Sequence, residues 1–313
     1  MSLKELEIEQ MVVNWFLDLE YSIFSGIDIS PGGNYCERYS YDQVILSNRL
    51  EKSLIKINPD VMLDAIREAI LKINNIINQP NLIKRNHDFH KILINGLPIE
   101  SVKDGEIVYE LISLIDFENL DNNDWLVANQ LTIIENKNER RPDIVVYVNG
   151  LPLSLIELKN PLDENLTIDK AFHQIQTYKM DIPSLFSTNE ICVISDGIEA
   201  KVGSLTADKE RFMPWRTKDE KEVIQNNVPQ LETLVKGIFK KNHFLDFIRY
   251  FIVFNDDGSE IIKKIAGYHQ YHAVNKAVSS TLKASALKGD RRIGVVWHTQ
   301  GSGKTYTMIK TAE

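Results

Sequence analysis

The chain is poor in cysteine. Only Cys36 and Cys192 occur in its 313 residues, far apart, so neither a disulfide framework nor a cysteine-rich zinc site can be built from them. No apolar run approaches the ~20 residues that a bilayer-spanning helix needs. The first residues do not read as a secretory leader, because Glu5, Glu7 and Glu9 interrupt their apolar positions. Both absences point to a cytoplasmic chain with no membrane partner. An excess of positive charge is also missing. Lys and Arg number 36 against 44 Asp and Glu, a net −8, which argues against a protein that coats polyanions generally. A chain of this charge that acts on DNA must gather its basic groups locally. What is present is ordinary: 43% hydrophobic and 26% charged residues, as in a folded globular protein, with length for about two domains.

The most informative stretch is Arg141-Pro142-Asp143 followed by Leu155-Ile156-Glu157-Leu158-Lys159. Asp143 closes a charged loop and opens the apolar run Ile144 to Val148. Asn149-Gly150 is a two-residue turn signal between apolar runs. The return run, Leu153 to Leu158, carries one acid, Glu157, and is followed by Lys159. A tight hairpin sets Asp143, at the start of one strand, beside the end of the next. Glu157 and Lys159 are two apart and share a face. Two carboxylates with free oxygens suit a hard cation such as Mg2+. A nearby ammonium can hold a phosphate or orient a water. The competing reading is an exposed hairpin with a solvated Glu–Lys pair. A charge inside an apolar strand is costly unless partnered, which favours a functional site.

Around this hairpin, apolar spacing predicts helices over 3–19, 41–56, 60–78 and 167–179. Glu9 lies near the polar edge of the first, where a solvated acid is the plain reading. His87 and His90 read as surface or core histidines before they read as metal ligands. Strands are expected near 92–95 and 107–115, from Trp125 to Glu135, and from Ile191 to Ser195, the last pairing with Glu199 to Leu205 across Asp196-Gly197. Residues 136–141 read as a charged loop. Gln174 and Tyr178, four apart, share one helix face that can lie beside the hairpin's acids. Residues 206–230 are polar and end the first domain, with Trp215 packing at that edge. Residues 231–254 keep helical spacing, and 261–285 read as one long helix. The order of elements predicts a mixed α/β or α+β sheet flanked by helices.

A second motif lies near the C-terminal end. A short strand, Ile293 to Trp297, is expected to lead into His298-Thr299-Gln300-Gly301-Ser302-Gly303-Lys304-Thr305, which then opens a helix. Gly301 and Gly303 let backbone N–H groups face a phosphate, Lys304 reaches the β/γ-phosphates, and the Thr305 hydroxyl can ligate Mg2+. The strict pattern has Gly where His298 stands, a departure often found in nucleic-acid motors. The sequence ends eight residues after Thr305. A P-loop ATPase also needs further strands and a second acid, so the expectation is a fragment or truncated product that does not hydrolyse ATP alone.

Together the two motifs resemble the restriction (R) subunit of type I restriction–modification enzymes. Pro142-Asp143 and Glu157-Leu158-Lys159 are similar to the halves of the PD-(D/E)xK nuclease signature. Glu9-Gln10 with Trp15-Phe16, Asp28 to Pro31, Glu37-Arg38, Arg49-Leu50 and Asn58-Pro59 resemble that family's N-terminal stretch. Gln174 and Tyr178 match its Q-x-x-x-Y element. Tyr268 to Tyr271 resembles the element before the first helicase motif, in which Gln270 would read adenine. Glu20, where the family often has Gly, is a small departure.

The resemblance implies an α/β fold: a PD-(D/E)xK mixed sheet over 1–220, a helical linker over 221–260, and over 261–313 the start of a RecA-like, superfamily 2 motor. Asp143, Glu157 and the Leu158 carbonyl would hold Mg2+, which lowers the pKa of a bound water and stabilises the phosphorane. Lys159 would orient that water, Gln174 and Tyr178 would position DNA or the lysine, and Glu9 would support the metal. ATP with Mg2+ would drive translocation of double-stranded DNA. Sequence recognition would belong to partner methyltransferase (M) and specificity (S) subunits. One such centre cuts one strand, so a double-strand break would take two copies or two events. The alternative is a translocase whose N-terminal domain only binds DNA or docks partner subunits.

Overall fold

The protein is described here from a computed structural model covering residues 5–103, 106–160, 167–218 and 229–312. Helix α1 (Glu5–Asp18) leads into strand β1 (Ser22–Ser25) and the single turn α2 (Gly26–Ile29). Three helices follow, α3 (Ser47–Ile57), α4 (Leu63–Ile77) and α5 (Leu82–Asn95). The next strands are β2 (Leu97–Lys103), β3 (Glu106–Ile112), β4 (Trp125–Asn129), β5 (Ile133–Glu135), β6 (Asn138–Arg140), β7 (Ile144–Val148) and β8 (Leu151–Leu158). Then come α6 (Thr167–Asp181), β9 (Ile191–Ser195), β10 (Ala200–Gly203) and β11 (Met213–Pro214). The C-terminal part holds α7 (Leu231–Ile238), α8 (Lys241–Tyr250), β12 (Ile252–Asp256), β13 (Ile261–Ile265), α9 (Tyr268–Ser285) and α10 (Lys304–Ala312).

Among the described residues the main sheet has seven strands in the order β1-β4-β7-β8-β9-β10-β11. It is mixed: β1 runs parallel to β4 and β8 parallel to β9, while the other neighbours are antiparallel. Every residue of β7 and β8 is buried, so helices cover both faces of these central strands. The hairpin between them is the one the sequence predicts. Asn149 (φ 54°) and Gly150 (φ 77°) both adopt the left-handed conformation of a type I′ turn. A Cβ on Gly150 would meet the Leu46 carbonyl oxygen at 2.5 Å. The Asn149 side chain ties the turn to the body, donating to the Leu114 carbonyl at 2.9 Å and accepting from the Asp124 N–H at 2.7 Å.

Several expected elements are redrawn. Residues 92–95 are the end of α5, not a strand. Phe89, His90 and Leu93 bury one helical face, and Gly96 (φ 80°) ends the helix with its N–H on the Ile92 carbonyl. The stretch 41–46 is not helical. It runs along the hairpin turn, with the Leu46 N–H on the Gly150 carbonyl and the Tyr147 hydroxyl donating to the Val44 carbonyl. The run 125–135 breaks at Gln130 (φ 53°) into β4 and β5, and the charged loop 136–141 contains β6. Asn136 and Lys137, both with positive φ, make the β5–β6 turn, a dipeptide without the usual glycine. Residues 231–254 divide into α7, α8 and most of β12. Residues 261–265 are strand β13, paired with β12 across the turn Asp257 to Glu260, and the long helix begins only after Gly267. The segment 293–297 forms no strand, and Trp297 is 91% exposed. A parallel strand needs a neighbour on its edge, and none pairs with it among the described residues.

The C-terminal elements share the core of the sheet. α7 packs on α1 and β10, and β13 packs on α5. The Tyr21 hydroxyl donates to the Phe239 carbonyl at 2.9 Å, and the Phe16 ring packs tilted against Phe239. Trp215 is buried and donates to the Thr217 carbonyl, in keeping with the packing role the sequence suggests. Arg38 and Arg49 bind structure together: Arg38 reaches Ser30 and the Thr132 carbonyl, and Arg49 pairs with Glu37 and Asp124.

Candidate active site

The register of β7 on β8 pairs Ile144 with Ile156, which sets Asp143 opposite Glu157 one step further on. Both acids are buried, Asp143 at 7% and Glu157 at 1% exposure. Asp143 Oδ2 accepts the Leu158 N–H at 2.8 Å, and Asp143 Oδ1 accepts from Gln130 Nε2 at 3.2 Å. Glu157 Oε1 accepts from Lys159 Nζ at 2.6 Å, while buried Oε2 has no hydrogen-bond partner. An extended residue sends its N–H and C=O to the same side. The Leu158 carbonyl therefore leaves β8 on the side of Asp143.

The electrostatics are those of a site short of positive charge. Burial, opposed in part by the Leu158 N–H and Lys159, raises Asp143 to about 6. Burial and the neighbouring Asp143 raise Glu157 to about 8, even with the Lys159 ammonium in contact. Burial works to lower Lys159, and its carboxylate neighbours more than offset that, so it stays charged. Glu5 Oε1 lies 3.6 Å from Lys159 Nζ. Three acids, Glu5, Asp143 and Glu157, thus gather around one lysine, and Glu9 adds its charge beside Asp143.

Tyr178, on the buried face of α6, brings its hydroxyl 3.4 Å from the Arg141 carbonyl, facing Glu157 and Gln174. Burial and the two carboxylates hold that phenol protonated, well above its ordinary range. Glu9 is buried and satisfied: Oε1 accepts from Asn129 Nδ2 at 2.7 Å and Oε2 from Gln130 Nε2 at 2.5 Å. Asp143, Glu157, Lys159 and Tyr178 come together directly. Gln174 joins through Tyr178, and Glu9 joins through Gln130. Sequence reasoning missed Gln130, Asn129 and Glu5. Glu5 had a signal, since it stands four residues before Glu9 on one helix face, an unfavourable repeat of like charge unless a cation answers it.

Among the described residues no three His, Cys, Asp or Glu side chains form a ready cation cage. The donors here are two carboxylates, one with an unengaged buried oxygen, and a backbone carbonyl. That set suits Mg2+, which takes one or two carboxylates and keeps several waters, and does not suit the four-ligand nitrogen and sulfur preference of Zn2+. The His87–His90 pair is not a metal site: His87 stacks on Phe254 and His90 hydrogen-bonds Glu190.

The second motif forms a loop before α10. Gly301 (φ 83°) and Gly303 (φ 74°) take conformations that favour glycine. Gln270, at the start of α9, accepts from the Gly267 N–H at 2.8 Å and donates to the Ser302 carbonyl at 3.2 Å. A Cβ on Gly303 would meet Gln270 Nε2 at 2.3 Å. Lys304 Nζ donates to the His298 and Thr299 carbonyls of its own loop, and Thr305 is exposed.

This is a mixed α/β protein in which a central hairpin collects two buried acids and a lysine. Residues 2–211 match the family model described as the type I restriction enzyme R protein N terminus, and the chain belongs to that family. Residues 269–313 match the SWI2/SNF2 ATPase model. The chain is 41% identical over 311 residues to the type I restriction enzyme HindI endonuclease subunit of Haemophilus influenzae, covering 98% of this chain and 29% of that one. It is 38% identical over 325 residues to the putative type I restriction enzyme MjaIXP endonuclease subunit of Methanocaldococcus jannaschii, covering 96% and 30%. It therefore spans under a third of the length of these relatives. Among the described residues no helix is long and apolar enough to cross a membrane.

Proposed function

We propose that the hairpin is the Mg2+-dependent endonuclease centre of a type I restriction R subunit, built on a PD-(D/E)xK core. The observation that carries this reading is the buried pair Asp143 and Glu157, set opposite each other with Lys159 on the same face and Glu157 Oε2 unengaged. Asp143, Glu157 and the Leu158 carbonyl would hold the metal, which supplies charge stabilisation at the phosphate and a more acidic water. Lys159 bonds Glu157 and can orient the attacking water or neutralise charge on the phosphate. Tyr178 stays protonated and donates a hydrogen bond, and Gln174 sets its direction. Residues 1–220 would be the nuclease domain, 221–260 its connection and 261–313 the beginning of a RecA-like motor. ATP with Mg2+ would bind the loop 301–305, with Gln270 reading the adenine. The whole subunit would translocate and cut double-stranded DNA in assembly with methyltransferase and specificity subunits.

In the full-length subunit assembled with those partners, Asp143→Ala or Lys159→Ala is expected to lower DNA cleavage on the order of 10^3-fold while ATP hydrolysis survives. Cleavage at the wild-type rate in either variant would remove the nuclease assignment.

A further inference from the structure

Gln130 occupies an unusual place. Its backbone N–H donates to the Asp143 carbonyl at 2.8 Å, extending the β4–β7 ladder one step past Asn129. Its φ of 53° then turns the chain out of the sheet. Gly26 packs flush against that turn, since a Cβ there would meet the Gln130 carbonyl oxygen at 2.4 Å. The backbone is thus clamped from two sides, and the side chain lies between two acids. Nε2 lies 2.5 Å from Glu9 Oε2 and 3.2 Å from Asp143 Oδ1. One amide group has two protons, one for each carboxylate. Exchanging its oxygen and nitrogen would set an oxygen against both acids. Glu9, itself anchored by Asn129, therefore fixes which end of the amide faces Asp143.

We propose that Gln130 is a positioning residue of the metal centre: its amide, oriented by Glu9, holds the Asp143 carboxylate in line with Glu157. This rests on the metal-site reading above. It also gives Glu9 a role: Glu9 acts through Gln130, not as a ligand. Without the amide, two carboxylates face each other with nothing between them, and Asp143 turns away from the metal position. Hydrogen-bond partners of metal-ligating carboxylates change affinity by about 10- to 100-fold when removed.

The test is Mn2+ titration into this chain by calorimetry, with far-UV spectra to confirm folding. Gln130→Met, nearly isosteric, is expected to weaken Mn2+ binding by about tenfold. Glu9→Gln in the Gln130→Met background is expected to add nothing, because the relay is already cut. Should Gln130→Met lose the native spectrum, Gln130→Asn is read instead, since its shorter amide cannot span both acids. Affinity within threefold of wild type in a folded Gln130 variant overturns the proposal, and so does an independent further loss from Glu9→Gln. Asp143→Ala separates this from the underlying reading. If Asp143→Ala removes the isotherm and Gln130→Met does not weaken it, only the role of Gln130 falls. If Asp143→Ala binds like wild type, the metal site falls with it.

Discussion

Glu157 is the residue on which fold and chemistry pull in opposite directions. It sits in a strand whose eight residues are all buried, and its carboxyl is raised to about 8. Asp143 is raised to about 6. The native chain therefore binds more protons than the unfolded one between the ordinary carboxylate range and pH 8. Stability in EDTA should be highest below about pH 4 for these two groups and should fall as pH rises through 6 to 8. Glu157→Gln should flatten that slope and be the more stable protein at pH 8, measured by urea unfolding across the range. A steeper loss in the variant would contradict this. At the residue scale, Asp143, Glu157 and Lys159 were legible because strand alternation and one turn are local properties. Gln130 was not, because its meaning comes from Glu9, 121 positions away. Selected for folding alone, position 157 would drift to an apolar residue like its neighbours.

Among elements, the β7–β8 hairpin follows most directly from sequence, and Gly150 is its pivot. Gly150→Ala adds a Cβ at a positive φ and against the Leu46 carbonyl oxygen. It should cost about 1–3 kcal/mol, read as a shift in the urea midpoint with unchanged slope. No change in midpoint would mean the turn can relax elsewhere. The elements that the sequence misplaced fail for a common reason. In β13, Ile261-Ile262-Lys263-Lys264-Ile265 can be read at helical spacing, and only pairing with β12 makes it a strand. Asn136-Lys137 carries no glycine, so the β5–β6 turn looks like loop. At 92–95 the apolar run is short, and the packing of its helix on α4 and β13, not its composition, keeps it in α5. Gln174 and Tyr178 were placed rightly on one face of α6, since four-residue spacing survives any packing.

At the scale of the molecule, Lys263 fastens β13 to the body that carries the main sheet. It is fully buried, and Nζ donates to Glu190 Oε2 at 2.9 Å, to the Asn189 carbonyl at 2.7 Å and to Asn86 Oδ1 at 3.1 Å. His90 shares the same Glu190 oxygen. Lys263→Met leaves Glu190 without its cation and should destabilise by about 3–5 kcal/mol in thermal or urea unfolding. Adding Glu190→Gln should recover part of that loss, and failure to recover any would mean packing, not charge, holds the joint. No local pattern announces this joint: one lysine in a charged hairpin reads as solvated until the segments around Asn86 and Glu190 close on it. The same closure has a practical consequence. α7 packs on α1 and β10, β13 packs on α5, and α8 packs on α7 and β12, so contacts between the described segments themselves join the parts. Two separate polypeptides, 1–218 and 229–313, produced in one cell should find each other and co-elute as a single particle.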